Sequence, residues 1–484
     1  MRSFDADIIV VGSGPGGSVT AALLAEAGRN VLLLEEGQDF STADVEPFSV
    51  EELSLKYRYG GIGVTQGTTR IAFAEARCLG GGSEINSGLY HRTPPEVLEQ
   101  WRVSHQLEKA SQEDLAPHFV ACERDLSVSL APGAMHPISQ RLHEGATALR
   151  WKSLEVPRWV KYEQAGSGTG GEVNGVRQTM TRTYLKTFGR DGGRIQTQTR
   201  LTRLRRENRG WELEVTCGSG DGRRSERLLC RTLVMACGAT QTPSVLRRSG
   251  IRRNIGATLR MHPTLKVVAE FHEPVNDANA GVQMHQVKEF APSFSFGCSI
   301  STRPFLKAAM QSHPQHVQRA TDEWRRFAVY YSMIAAGHGT VAPPWLFRDP
   351  LIRYVLTEDD SRVLAVSLKR LCECLLAAGA SCVFPAVAGI SPIRSPEDCD
   401  RLPAVLRLRD ANLMTIHLYG SCPMGERRAI SAVDSYGRVH DVPDLMISDA
   451  SILSGSLGVN PQGSIMAFCR RNTLDFLQNE RGRS

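Results

Sequence analysis

Residues 5–37 read DADIIVVGSGPGGSVTAALLAEAGRNVLLLEEG, and their reading decides the fold. Residues 8–11 form a continuous apolar run of the kind a fully buried strand needs. Val19, Ala22, Leu23 and Ala27 recur at helical spacing, Gly28 is a stop signal, and VLLLEEG is a second buried strand. Between strand and helix lies Gly12-Ser13-Gly14-Pro15-Gly16-Gly17, a GxGxxG fingerprint at Gly12, Gly14 and Gly17. The first glycine turns tightly, the second lets the backbone approach a pyrophosphate, and the third packs helix on strand. Glu35 ends the second strand 18 residues after Gly17, where an acid receives ribose hydroxyls. Motif and context together predict a βαβ unit that holds a dinucleotide.

Two other glycine clusters lack that context. GSGTGG at 166–171 spells the same pattern, but KYEQA before it is no buried strand and EVNGVRQ after it no helix, so it reads as a flexible loop. GSGDG at 218–222 reads as a turn between WELEVT and ERLLCRTLVMACG. A nicotinamide-dependent disulfide reductase would need a second true fingerprint and a redox cysteine pair. Neither is present, so FAD alone is the expected nucleotide.

Bulk properties narrow the class. The chain has 484 residues, enough for two domains and a large core, with 41% hydrophobic and 22% charged residues. A net charge of +6 suits an anionic cofactor and argues against a nucleic-acid partner. The densest basic stretch, RLTRLRRENR at 200–209, reads as a solvated face. The N-terminus has no signal-peptide pattern and no apolar run reaches membrane-spanning length, so no membrane span and a cytoplasmic location are expected. Twelve cysteines show neither a disulfide framework nor zinc spacing, so reduced thiols and no metal are expected, including the CEC at 372–374 in a helical stretch.

Three further stretches carry groups suited to chemistry. EARCLGGGSEINSGLYHRTP (75–94) combines glycine freedom at Gly81 and Gly82 with polar groups at Arg77, Ser83, Asn86 and Ser87. LVMACGATQTPSVLRRSGI (233–251) reads as a buried strand, a turn at Gly238 and a helix around Pro243. In the C-terminal segment a strand ends at Asp449-Ala450 and a loop of small residues follows. Asn460 and Pro461 then look like the N-cap and first residue of a last helix. Ile465, Phe468, Cys469 and Phe476 are spaced to face its core side. TIHLYGSCPMG (415–425) places His417 where a strand breaks into a loop.

Taken together and in this order, these stretches resemble the glucose–methanol–choline (GMC) oxidoreductase family. The resemblance implies an α/β fold with an α+β second domain: a Rossmann-like FAD-binding domain, discontinuous in sequence, and a smaller sheet-plus-helices substrate domain. On that reading 1–155, 191–265 and 410–484 build the FAD domain, 156–190 is a connecting segment on the substrate side, and 266–409 is the substrate domain. It further implies an FAD-dependent alcohol oxidase or dehydrogenase acting on a small-molecule alcohol, with O2 or another carrier as electron acceptor. His417 and Asn460, 43 residues apart, fall where the family places its catalytic pair. His417 would take the hydroxyl proton, with a pKa near 6.5 suited to the task, while hydride passes to flavin N5 and Asn460 orients the oxygen. Relatives that bind FAD covalently in the 75–94 loop use a histidine where this chain has Ile85, so noncovalent FAD is expected. Gly81-Gly82-Ser83 and SCPMG (421–425) depart from the commoner family patterns. His262 and His440 are expected to be structural or flavin-proximal, and His285 and His338 to line the pocket. A non-redox flavoprotein of the same fold, such as a hydroxynitrile lyase, is the alternative. Substrates range from sugar, amino-sugar or natural-product alcohols to simple aliphatic or aromatic ones.

Overall fold

A computed structural model describes residues 3–43, 45–46, 49–162, 175–278, 280, 282–344 and 348–481. The loop expected at 166–171 falls outside the described residues. Two sheets organise the chain.

The first sheet is built on the opening motif. Strand Ala6–Val11 pairs in parallel with Val31–Leu34 on one side and with Arg224–Met235 on the other. Arg194–Gln196 and Leu445–Ile447 extend the parallel part outward, and Gly210–Cys217 and Thr199–Glu207 continue it as an antiparallel edge. Helix Pro15–Glu26 covers one face and packs against the last helix, Gln462–Arg481. Burial on both faces explains the unbroken apolar runs: Ile9, Val10, Leu33 and Leu34 are fully enclosed. Each such side chain contributes roughly 1.5–3 kcal/mol relative to exposure. The basic stretch 200–209 lies on the outer edge strand, with Arg203, Arg205 and Arg206 in partial or full contact with solvent. The 218–222 turn is a short 3-10 turn, Gly220–Gly222, between two strands.

The second sheet has nine strands, and its centre is Thr264–Glu270 flanked by Phe327–Ile334, Leu413–Thr415 and Cys382–Pro385. Strands from 63–73, 153–155 and 413–415 join those from 264–385. Leu265, Val267 and Ala269 pack beneath helices Pro137–Ala148 and Glu358–Ala377. Val268, on the opposite face, packs with Val329, Phe384 and the short helix Arg303–Ala309. Residues 264 and 266 share that second face by the period of two. The helix around 358–377 buries Cys372 and Cys374, and all twelve cysteines are free thiols. Among the described residues no helix is long and apolar enough to cross a membrane.

The last helix opens one residue later than expected. It spans Gln462–Arg481, and its first helical hydrogen bond runs from Ile465 N–H to the Pro461 carbonyl. Pro461 therefore stands at the cap position. Asn460 lies before it, and its side chain is engaged elsewhere.

Candidate active site

The parallel strands of the first sheet all end on one side. Their exits, Gly12, Glu35, Ala236 and Asp449, open into a cavity of about 680 Å3 that continues to the second sheet. This is the crevice in which doubly wound sheets hold ligands. Gly12 has φ +107, and a Cβ there would lie 2.1 Å from the Ala236 carbonyl oxygen, so only glycine fits this turn. A Cβ on Gly17 would strike the Gly12 carbonyl at 2.0 Å, which is the helix-on-strand contact expected of the third glycine. Gly14 and Gly82, by contrast, face open space beside the N-terminus of helix Pro15–Glu26. A helix N-terminus with glycine backbone and empty space before it is suited to a pyrophosphate.

The polar groups around that space are tied down. Glu35 Oε2 accepts from Ser13 N–H (3.1 Å) and Ser13 Oγ–H (2.6 Å), and Oε1 accepts from Gly37 N–H (2.8 Å). Burial raises its pKa, against those three donors. Asp449 accepts from Gly238 N–H (2.9 Å), Thr242 Oγ–H (2.5 Å) and Ser451 N–H (2.8 Å), pinning the fourth exit to helix Gly238–Arg248; burial raises its pKa too. Asn86 donates to Gln462 Oε1 (2.7 Å) and accepts from Gly88 N–H (3.0 Å). Glu75, also in the wall, has a buried Oε2 without a hydrogen-bond partner. Empty space at the glycines together with this orphaned oxygen fits a large polar cofactor such as FAD.

Of the residues singled out from the sequence, Gly12 through Gly16, Glu35, Gly81, Gly82, Asn86, Ser87, Gly238, Asp449, Ala450, Asn460, Pro461 and His417 all line this one cavity. Three do not. Gly17 lies behind the wall. Ser83 is buried, donates to the Gly80 carbonyl and accepts from Met180 N–H. Arg77 is exposed, outside the cavity wall. Ile85 lines the cavity, and its carbonyl accepts from the Tyr57 hydroxyl at 3.3 Å.

His417 sits between strand Leu413–Thr415 of the second sheet and the two-residue strand Leu418–Tyr419. Its backbone N–H donates to Thr415 Oγ1 at 3.1 Å, fixing the turn. Its Nε2 lies 3.3 Å from Asn460 Nδ2, and its Nδ1 lies 3.0 Å from His262 Nδ1. Asn460 is held from behind, since its Oδ1 accepts from Gln286 Nε2 at 3.4 Å, and Gln286 also donates to the Tyr331 hydroxyl at 3.0 Å. His262 is fully buried, with its Nε2 2.8 Å from the Tyr419 hydroxyl and 3.3 Å from Gly458 N.

A pKa near 6.5 is not what the site provides. Burial, reinforced by the nearby Lys288 ammonium, pushes His417 down to about 3. Burial likewise holds His262 well below its ordinary value, and pushes His91 down to about 3. The cluster is therefore neutral at cellular pH.

The other histidines sit elsewhere. His440 meets the Gly425 carbonyl at 3.0 Å, a structural contact. His285 packs edge-on against His143, His338 is exposed on its strand, and neither lines the cavity. Sequence reasoning missed Gln286, Tyr331 and Lys266, which adjoin or line the same space. Lys266 alone left a signal: a lysine inside TLKVVAEF, a run that otherwise reads as a buried strand.

Comparison with known proteins agrees with this architecture. Family models described as GMC oxidoreductase match residues 7–264 and 340–469. An uncharacterised GMC-type oxidoreductase, y4nJ of Sinorhizobium fredii, is 35% identical over 96% of this chain and 94% of its own. A long-chain-alcohol oxidase of Arabidopsis thaliana is 25% identical over 99% of this chain and 67% of its own. Among solved structures, pyridoxine 4-oxidase from Mesorbium loti superposes with a TM-score of 0.75 at 19% identity, covering 98% and 99% of the two chains. With its motifs gathered around one cavity and both family models matched, the chain belongs to the GMC oxidoreductase family and is an FAD-dependent alcohol oxidoreductase.

Proposed function

We propose that this chain oxidises the CH–OH group of a small alcohol to a carbonyl, with FAD held noncovalently, His417 as the base and Asn460 as the group that orients the alcohol oxygen. The observation that carries the reading is the 3.3 Å contact between His417 Nε2 and Asn460 Nδ2 in the wall of the cavity that continues to the glycine cradle. FAD, when bound, supplies the acceptor for the hydrogen on the carbinol carbon. Everything else falls to the protein. A neutral imidazole offers Nε2 to the hydroxyl proton, and the Asn460 amide N–H stabilises the oxygen as charge develops on it. The N-terminus of helix Gln462–Arg481, whose Pro461 and Gln462 line the cavity, adds positive potential there.

Relatives named for long-chain alcohols support an alcohol substrate, and relatives named oxidases support O2 as electron acceptor. The test is anaerobic mixing of the FAD-loaded protein with a panel of alcohols while the flavin absorbance is followed. Bleaching by at least one alcohol, reversed by air, is the expected result. Intact flavin with cyanohydrin cleavage and no bleaching would replace this reading with a lyase.

A further inference from the structure

The substrate arm of the cavity contains a charge that the proposed chemistry does not use. Lys266 lies on strand Thr264–Glu270 on the face that lines the cavity, with Thr264 before it, Tyr331 on the neighbouring strand and Ser299 beyond. Its ammonium donates to Ser299 Oγ at 2.7 Å and stands 5.3 Å from the centre of the Tyr331 ring. No ion pair to it exists among the described residues. The acids in the cavity wall, Glu35, Glu36, Glu75 and Asp449, each have partners of their own: Ser13, Arg58, Thr240 and Thr242. Around Lys266 the wall is mostly apolar, with Ile300, Phe305, Ala309, Val329, Met333 and Met414, and its further neutral polar groups include Gln311 and Asn412. Burial alone lowers its pKa, to about 8, so the ammonium form dominates at neutral pH.

An ammonium in a mostly apolar wall with two donors left over is costly unless a ligand compensates it. We propose that the substrate is an amphipathic hydroxy acid, whose carboxylate meets Lys266 while its alcohol lies at His417 and an apolar spacer runs between them. This rests on the alcohol-oxidising reading of the same site. The chemistry favours a carboxylate over a phosphate: one lysine and neutral hydroxyls suit a monoanion, whereas a dianion calls for arginine or several cations. Geometry gives the length. His262, which touches His417, precedes Lys266 by four residues, which limits their Cα separation to roughly 13 Å at about 3.3 Å per residue. A spacer on the order of 10 Å at most fits once the lysine side chain is allowed its reach.

The test uses FAD-loaded enzyme and two kinds of probe. Calorimetry with decanoate, which has no alcohol, reports the acid end alone. Steady-state rates with 10-hydroxydecanoate and decan-1-ol report the preference. Wild type should bind decanoate and favour the hydroxy acid. Lys266→Met should weaken decanoate binding roughly tenfold to a hundredfold and lose the preference while still turning over decan-1-ol, and Lys266→Arg should restore part of both. FAD content and melting temperature check that the variants fold. Equal decanoate affinity in wild type and Lys266→Met, or a wild type that favours decan-1-ol, overturns the proposal. If no alcohol of either kind reduces the flavin, the oxidation reading fails, and the decanoate measurement still decides the role of Lys266.

Discussion

His262 Nδ1 and His417 Nδ1 lie 3.0 Å apart, and only one proton fits between them. Two neutral arrangements result. With the shared proton on His417, its Nε2 is free to accept, as the Asn460 Nδ2 beside it requires, and His262 donates from Nε2 to the Tyr419 oxygen while giving up the hydrogen bond from Gly458 N–H. With the proton on His262, its Nε2 accepts from Gly458 N–H, and the His417 Nε2 is protonated and useless as a base. The first arrangement is the one the proposed reaction needs. In it, the proton gained at Nε2 makes an imidazolium whose Nδ1–H already points at an acceptor, so the new charge is stabilised by a hydrogen bond to His262.

His262 is therefore a positioning residue in this proposal, and His262→Ala should show it. Flavin reduction at neutral pH should slow by roughly tenfold or more, about the worth of one charge-assisted hydrogen bond in a desolvated site. A purely structural role would lower FAD content or melting temperature without changing the pH profile. Stopped-flow reduction across pH separates the two: loss of rate with an altered acid limb supports the pairing, and an unchanged profile in a folded, FAD-loaded variant refutes it.

The depressed pKa of His417 sets the pH dependence of the wild type. Because burial and Lys288 push it to about 3, the imidazole stays neutral from about pH 5 upward, and reduction should be flat there. A group of unshifted pKa would instead give a rise through about 6.5. A pronounced rise near neutrality would show that the site is far better solvated than this cavity implies.

The same groups make the folded protein acid-sensitive. His91 and His417 sit near 3 when folded and near 6.5 when unfolded, so the unfolded chain binds more protons between those values. Their contribution to stability is complete above about pH 6.5 and is lost as pH falls toward 3, at up to about 1.4 kcal/mol per pH unit for each group. The buried carboxyls Glu35 and Asp449, raised on folding, act in the opposite sense, so the histidine contribution is read by difference: His91→Gln should lose less melting temperature from pH 7 to pH 4 than wild type. An equal loss in the two proteins would contradict neutral burial of His91.

What was legible in the sequence follows from what is local. The opening motif, Gly28 as a helix stop and the buried strand at 31–34 all depend on neighbours within a few residues, and each is found. The His417–Asn460 approach was reachable only through resemblance, because two loops 43 residues apart meet in space and no local pattern says so. The pairing of His262 with His417 was hidden for the same reason: 155 residues separate them. Asn460 was misread as a cap because an Asn-Pro pair is a strong local helix signal. Tertiary contacts to His417 and Gln286 claim its amide instead, and the helix begins at Gln462.

FAD should come off the protein when it is denatured. By resemblance to family members that bind FAD covalently, Ile85 occupies the loop position of their attaching histidine, and an alkyl side chain forms no such bond. Acid precipitation should leave the yellow colour in the supernatant. Colour retained in the pellet after washing would reveal a linkage at another residue.

His417 and Asn460 act on one oxygen in the proposed reaction, and that gives the most discriminating prediction. His417→Ala should slow flavin reduction by roughly a hundredfold or more, the usual contribution of a positioned base. Asn460→Ala should cost less, since it removes one hydrogen bond to the alcohol oxygen and leaves the base in place. Asn460 does not cap the last helix, so its loss should leave the melting temperature nearly unchanged, unlike the loss of a true cap. The double variant should lose less than the product of the single losses, because without the base there is little charge on the oxygen for the amide to stabilise. Anaerobic stopped-flow of the four proteins, each checked for FAD content, provides the cycle. Independent, multiplicative losses would mean the two side chains do not share an oxygen, and a His417→Ala protein reducing at near wild-type rate would remove His417 as the base.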